Sequence, residues 1–479
     1  MTNKKKLTIN VILNILKQCC NIVFPLITYP YAARILGDEA LGRYSFSDSI
    51  ITYFMVLAAL GIPTYAIREG ARIRADKKKI SVFASEMYTI NMLALAISYA
   101  VLLFFIVLVP RIQRDYIIIL ILSINVITNV LGRDWINSIF EDFFYITVRY
   151  VFCQIICMLL LFIFVHDPSD LYLYTIIMLF SNAGGYILNF FYTQKYVPVR
   201  FTKHINLKQH LKPILYLFCS TIAITIYIKS DITVLGFLRT DSEVGIYTLS
   251  SRIYMIVKAL LNAVITVTIP RLANYLGTGD YEGYNTLINY LRKFLYALVL
   301  PSIVGVYFLA PNIMLLLGGE NYISGYESLR ILCLALFFSV FGCYYSQGIL
   351  VTVRKEKYFF IATILSAIVN VVFNIIIIPF IGMNGAALTT VVAEIIVLAI
   401  CRHYSKNIVK IDKNRDLISI LLGCLGIAIV CYLIQITEMN LILQVSLSVI
   451  GSVIIYFIIL TIFKNEIMQQ ILKIITKRT

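Results

Sequence analysis

Charge is what this chain has little of. Only 14% of its 479 residues are Asp, Glu, Lys or Arg, against about 25% in a soluble domain. With 60% hydrophobic residues and a mean hydropathy of +0.86, the polar surface is too small to cover a soluble globule of this size. The same apolar content excludes a disordered chain. An ATP-binding loop is also missing: Gly37 to Gly42 has neither the Lys nor the Ser/Thr that hold phosphate and magnesium, which argues against an ATP-driven pump on one chain. Histidine is scarce, with four residues in loops or at span ends, and they form no zinc or nucleophilic constellation. The ten cysteines fall in apolar stretches and imply no disulfide. Cys153 and Cys157 share a helix face, but no further His or Cys completes a metal site there.

What is present is a series of apolar runs. A helix crossing about 30 Å of hydrocarbon needs roughly 20 such residues. Fourteen stretches qualify: 8–31, 44–66, 83–109, 116–136, 143–165, 171–193, 211–237, 244–269, 288–310, 329–351, 358–380, 384–402, 416–437 and 440–463. The run at 116–136 is the weakest, followed closely by Arg133 and Asp134. All are too long and too evenly apolar for barrel strands. The net charge of +16 then reads as cytoplasmic loops rather than nucleic-acid binding. With the N-terminus inside, 30 of the 41 Lys and Arg fall in cytoplasmic segments, six in outer loops and five within spans. One span more or fewer would invert every later loop and destroy this asymmetry, so both termini are expected in the cytoplasm. Lys4 to Lys6 before an apolar run resemble the start of a signal peptide, but no small-residue cleavage site follows and the segment is read as retained.

The chain also repeats itself. Leu36-Gly37, an acidic linker and Leu41-Gly42-Arg43-Tyr44-Ser45-Phe46-Ser47 match Leu235-Gly236, an acidic linker and Val244-Gly245-Ile246-Tyr247-Thr248-Leu249-Ser250. Each copy runs on as an apolar helix to an Ile-Pro pair, Ile62-Pro63 and Ile269-Pro270, followed by Arg68 and Arg271. The copies are six spans apart. An even number puts them in the same orientation, the pattern of two parallel halves around a central path. The expected division is 1–205 and 206–405 as two six-helix lobes, with 406–479 holding two extra helices and the tail.

Charges inside spans cost roughly 2.5–3.5 kcal/mol each on the insertion scale. Lys17, Arg149, Lys229, Arg252 and Lys258 therefore need a reason, as do Asp48, Glu141, Asp231 and Glu394. Lys229 and Asp231 are two residues apart and point to different faces of one helix. Arg149, Glu141 and Asp231 lie near span ends, where snorkelling or capping is an alternative, and Lys258 lies deepest in its helix. An excess of cations over acids in the spans suggests an anionic cargo.

The motifs resemble a known family. Ala33-Arg34-Ile35-Leu36-Gly37 through Tyr44, the run at Ser230, Asp231 and Gly236, Gly245-Ile246-Tyr247, and Gly382-Met383-Asn384-Gly385-Ala386-Ala387 with Glu394 beyond are similar to the Wzx-type polysaccharide flippases. These belong to the multidrug/oligosaccharidyl-lipid/polysaccharide exporter superfamily. The resemblance covers most of the chain, including the count of fourteen. It implies an all-α integral membrane protein of fourteen transmembrane helices: two parallel six-helix lobes in a V-shaped MATE- and MurJ-like arrangement, plus two C-terminal helices. It implies a non-enzyme of the bacterial cytoplasmic membrane that flips undecaprenyl-diphosphate-linked oligosaccharides to the outer leaflet by alternating access. The cargo-binding cations would be Lys258, Lys229, Arg252, Arg149 and Arg34. Asp48, Asp231 and Glu394 would be candidates for coupling to a proton or sodium gradient, with no other cofactor and no metal. Lipid-linked oligosaccharide and membrane lipids are the expected partners, a polysaccharide polymerase and a chain-length regulator are left open, and nucleic acid is not expected. The competing readings are a lipid II flippase of the MurJ type, a MATE-type drug exporter, whose pocket would be dominated by acids, and a membrane-embedded glycosyltransferase or polymerase. Loops of about 20 residues are short for the catalytic domain that the last would need.

Overall fold

The computed structural model describes residues 3–203, 205–410, 412 and 416–476, without the side chains of residues 3–12, 14, 15, 471, 472 and 474–476. Lys4, Lys5, Lys6, Lys413, Arg415, Lys477 and Arg478, expected above to be cytoplasmic, therefore lie outside the described side chains. The described residues contain helices and no strand. Twelve helical stretches are long and apolar enough to cross a membrane.

Two of these stretches are too long for one crossing. The 57 residues of α1 (Asn3–Ala59) would reach about 85 Å as a straight helix, nearly three hydrocarbon thicknesses. The helix is broken at Gly37, with φ 80° and ψ 178°, a combination that essentially only glycine adopts. The 50-residue α13 (Glu356–Ser405) breaks in the same way at Gly382, with φ 57° and ψ −137°. There the chain folds back on itself: Ser366 Oγ donates to the Ala393 carbonyl at 2.8 Å, and Thr389 Oγ1 bonds Asn374 Oδ1. So the expected runs at 8–31 and 44–66, and at 358–380 and 384–402, are joined by a single glycine rather than a loop.

The other helices begin and end where side chains satisfy free backbone groups. Asp76 caps α3 (Lys77–Leu108) by accepting from the Lys78 and Lys79 N–H groups at 3.0 and 3.1 Å. Before it, the short amphipathic α2 (Ile62–Ile73) starts behind Gly61, whose φ is 72°. After α3 come α4 (Pro110–Arg114) and α5 (Tyr116–Gly132). The weakest expected span ends there, because Arg133 turns left-handed at φ 49° and starts α6 (Asp134–Ile139). Asp142 caps α7 (Phe143–Phe164), and α8 (Leu171–Tyr192), α9 (Leu207–Leu238) and α10 (Asp241–Gly277) follow. The remaining helices are α11 (Tyr281–Gly318), α12 (Tyr326–Cys343), which runs on into a wide π-helical turn at Tyr344–Val351, α14 (Leu417–Gln435), α15 (Leu441–Ile462) and α16 (Glu466–Thr476).

By contact the chain forms two units, residues 1–245 and 246–479. Helix α9, placed in the second lobe by the repeat, groups with the first unit, because Gly236 sits on the Phe46 ring and Lys229 bonds Asp48. In the first unit, Ile62, Tyr65, Phe83, Met87, Trp135, Ile139 and Ile214 form a core joining α2, α3, α6 and α9. In the second, α14 and α15 pack on α11 around Ile420, Ile427, Tyr456 and Leu460, and the Tyr456 hydroxyl donates to the Ala297 carbonyl at 2.7 Å. Large apolar side chains face outward, Phe380 at 82% exposed and Val267 at 78% among them, as a lipid-facing surface requires.

Candidate functional site

The charges of the spans meet in three places. In the second unit, Lys258 of α10 reaches Glu394 in the second half of α13, with Nζ 2.5 Å from Oε1. The Tyr254 hydroxyl, one turn earlier on α10, donates to the same oxygen at 3.0 Å. Residues 254 and 258 are four apart and share a helix face, so both converge on one buried carboxylate. Glu394 is 4% exposed. Tyr254 and Lys258 thus compensate a charge that alone would cost several kcal/mol to bury.

In the first unit, Lys229 Nζ lies 2.9 Å from Asp48 Oδ2. One turn on, Thr233 Oγ1 is 2.9 Å from the Lys229 carbonyl, 3.0 Å from Ser49 Oγ and 3.2 Å from the Tyr53 hydroxyl. A polar seam therefore joins α9 to the second half of α1. Asp231 is buried on the other side of α9 from Lys229, as their spacing requires.

The third place is Arg149 on α7. Its Nη2 donates to both oxygens of Asp134, at 3.0 and 2.8 Å. Asn189 of α8 donates to Asp134 Oδ1 at 2.9 Å and to the Gly132 carbonyl at 2.6 Å, and so pins the break between α5 and α6. Gly185 leaves room for the Arg149 side chain, which packs 3.4 Å from where a Cβ would sit. Arg149 Nε and Nη1 are buried without a hydrogen-bond partner among the described residues. Arg252 is half-buried on α10, and Arg34 is exposed on the first half of α1.

Among the described residues, at least three of the five in-span cations thus meet an acid, and two of those acids, Asp48 and Glu394, are themselves candidates for ion coupling. The charge excess read along the sequence is largely neutralised locally, because unpaired charges in apolar surroundings are too costly.

Two groupings escape the sequence. Arg43 Nε donates to Asp115 at 2.6 Å and Arg111 to the other Asp115 oxygen at 2.7 Å, while Arg111 and Arg114 both bond Asp241. Arg111 also donates to the Gly236 carbonyl at 2.7 Å and lies over the Phe46 ring. The closely spaced Arg111, Arg114 and Asp115 after Pro110 were the available signal. The second grouping involves the repeat. A Cβ added to Gly42 would strike the Asp241 carbonyl, and one added to Gly245 would strike the Asp38 carbonyl. Each Cβ position lies 3.1 Å from the backbone nitrogen of the other glycine. The two copies of the motif touch reciprocally, in the register that aligns Tyr44 with Tyr247.

Outside the spans, Asp142 accepts from the Tyr196 and Tyr192 hydroxyls at 2.6 and 2.8 Å. Burial pushes its pKa up, but those two bonds, the Tyr145 N–H and the nearby Lys195 outweigh it and hold the carboxyl below its usual range. Among the described residues, no three His, Cys, Asp or Glu side chains are grouped to hold a metal ion.

The chain is 24% identical to a protein of Escherichia coli (strain K12) named as an O-antigen transporter, over 85% of this chain and 98% of that one. A glycan biosynthesis flippase of Haloferax volcanii, Agl15, is 23% identical over 41% of each chain. Among solved structures, the lipid II flippase MurJ in an inward closed conformation superposes with a TM-score of 0.78 at 19% identity, covering 95% of this chain and 99% of that one. A multidrug resistance MATE transporter in an inward-facing conformation gives 0.64 at 14% identity, over 80% and 93%. Residues 217–376 match the MatE family profile. Those likenesses share one helical membrane fold, and the profile described as polysaccharide biosynthesis protein matches residues 7–276, more than half of a multi-pass membrane chain: the protein belongs to that family, within the superfamily of multidrug, oligosaccharidyl-lipid and polysaccharide exporters.

Proposed function

We propose that this protein flips lipid-linked oligosaccharide repeat units from the cytoplasmic to the outer leaflet of a bacterial inner membrane. The family and the O-antigen transporter of E. coli, matched over 98% of its length, support a polysaccharide flippase rather than an enzyme. In this reading the chain crosses fourteen times, each broken helix crossing twice, with both termini in the cytoplasm. Residues 1–205 and 206–405 form the two lobes, and 406–479 the added helices and tail. A polymerase and a chain-length regulator are the partners such a cargo would meet next.

The observation that carries the mechanism is the pairing of half-buried Lys258 with the buried Glu394. A diphosphate competes with a carboxylate for the same ammonium group in a low dielectric. On cargo binding Lys258 turns from Glu394 to the diphosphate, and Glu394, left buried, takes up a proton or a sodium ion. Release outside restores the pair as Glu394 gives up that proton or sodium ion, which in this cycle crosses outward with the cargo. Lys229 with the more exposed Asp48 makes a corresponding exchange in the first unit; Arg149 and Arg34 in that unit and Arg252 in the second are further cargo-binding candidates, and Asp231 a further candidate for ion coupling. Outward movement of a diphosphate's charge is favoured by roughly 2.3 kcal/mol per charge per 100 mV.

The test is flipping of an undecaprenyl-diphosphate oligosaccharide in reconstituted vesicles, with and without a proton or sodium gradient. Variants Lys258→Gln and Glu394→Gln are compared in protein of unchanged fold. Loss of flipping with Lys258→Gln, and loss of gradient dependence with Glu394→Gln, are expected. Normal flipping by both variants would remove the pair from the path. Transport of lipid II in place of the oligosaccharide would move the assignment to the other flippase class, and drug efflux would overturn it.

A further inference from the structure

Between α8 and α9, residues 196–206 run along the side of α3. The Ser81 hydroxyl donates to the Pro198 carbonyl at 2.9 Å, the Arg200 N–H to Ser85 Oγ at 3.2 Å, and the Thr202 N–H to Thr89 Oγ1 at 3.1 Å. The last contact sets a depth. From Ile90 to Val109 the chain carries no charge, and 20 helical residues span about 30 Å, one hydrocarbon thickness. Residues 200–203 therefore lie where the hydrocarbon begins, on the face that the distribution of Lys and Arg makes cytoplasmic. His210 reaches the same layer from α9, 3.1 Å from Glu86.

This layer gathers four exposed cations: Arg200, Lys203, Lys208 and Lys212. None has an ion-pair partner among the described residues, and the nearby acid, Glu86, is engaged by His210. Three large apolar side chains project beside them: Phe201 at 64% exposed, Leu207 and Leu211. Phe201 is held by an edge contact with Tyr88. Nearer the cytoplasm the charges are balanced differently: Arg68 and Arg72 bond Glu69, Arg74 bonds Glu141, and Lys79 lies 3.6 Å from Asp76. Uncompensated cations interleaved with exposed aromatic and aliphatic side chains at the hydrocarbon boundary form an interfacial lipid site: the apolar groups enter the acyl layer and the cations meet phosphate.

We propose that Arg200, Lys203, Lys208 and Lys212, with Phe201, Leu207 and Leu211, bind anionic phospholipid headgroups of the membrane leaflet. Bound anionic lipid holds the segment linking α8 to α9 against α3. The inference does not depend on what the protein transports, because lipid retention is read without transport.

The experiment is native mass spectrometry of the full-length protein released from micelles holding equimolar phosphatidylglycerol and phosphatidylethanolamine. Wild type retains phosphatidylglycerol preferentially. Arg200→Gln with Lys203→Gln lowers that preference about thirtyfold, as expected for two cations at an anionic surface. Lys208→Gln with Lys212→Gln acts similarly. The charge-matched pair Lys77→Gln with Lys78→Gln, outside the layer, leaves the preference unchanged, and all variants keep the wild-type melting temperature. Equal retention in all proteins, or equal loss in the Lys77/Lys78 control, overturns the site. Retention of added undecaprenyl diphosphate but not phosphatidylglycerol, abolished by the Arg200/Lys203 change, overturns the phospholipid assignment in favour of a cargo headgroup.

Discussion

Glu394 sits 4% exposed with Lys258 as its cationic partner, so removing the lysine does two things at once. It takes away a cargo-binding group, and it strands a buried carboxylate. Lys258→Ala is expected to destabilise the protein by about 3–5 kcal/mol, and Lys258→Met with Glu394→Leu together by far less, because replacing both members of a buried pair removes the uncompensated charge. Melting in detergent, arranged as a double-mutant cycle, checks this; additive losses would mean the two do not interact. The Arg149–Asp134 pair predicts an asymmetry instead. The side chain of Arg149 is 5% exposed and that of Asp134 34%. Asp134→Ala leaves a buried guanidinium and is expected to cost more than Arg149→Met, which leaves a carboxylate half in water and still bonded to Asn189. Equal losses would contradict that burial. All of these residues stand out in the sequence, because a charge in an apolar run is conspicuous. The pairing does not: Asp48 and Lys229 are 181 residues apart and Glu394 and Lys258 136, and no periodicity within a helix says which distant acid a cation will face.

Helices here are set by their ends and breaks. Gly37→Ala and Gly382→Ala each force a side chain into a conformation costing about 1–3 kcal/mol, whereas Gly305→Ala, inside α11 with open space around it, is expected to be neutral or stabilising by up to about 1 kcal/mol. Thermal melts of the three variants test the contrast. The cap of α3 adds a pH dependence. Hydrogen bonds from the Lys79 and Lys78 N–H groups hold the Asp76 carboxyl below its usual range. A depressed carboxyl pKa contributes stability that is fully present above the unfolded value near 3.9 and is lost as pH falls through the folded value. Asp76→Ala should therefore lower the melting temperature by a constant amount near neutrality, and by progressively less below about pH 4; a difference that persists in acid would refute the cap. Gly37 and Gly382 fall in the gaps between expected apolar runs, but the sequence did not say that helix would continue up to a single glycine from both sides. The first turns of α3 were not legible either, because Lys77 to Val82 precede the apolar run at 83–109 and read as loop, whereas the Asp76 cap and packing against α2, α6 and the segment after α8 hold them helical.

At the scale of the whole chain, the repeat was visible as a recurring phrase, but not the fact that its two copies meet. Gly42 and Gly245 leave no room for a Cβ, and each would strike backbone, which cannot swing aside as a side chain does. Gly42→Ala and Gly245→Ala are each expected to destabilise by about 1–3 kcal/mol, as overpacking does. The double variant should cost little more than either, because one separation relieves both clashes; strictly additive losses would show that the sites are independent. The same reciprocity has a consequence for assembly. Residue 38 meets 245 and residue 42 meets 241, which is how a twofold homodimer interface is written, with one patch serving as both surfaces. At this point two short segments of one chain, both within the first unit, meet as two copies of one patch would. A change of backbone spacing at this crossing would therefore disturb both copies of the motif at once.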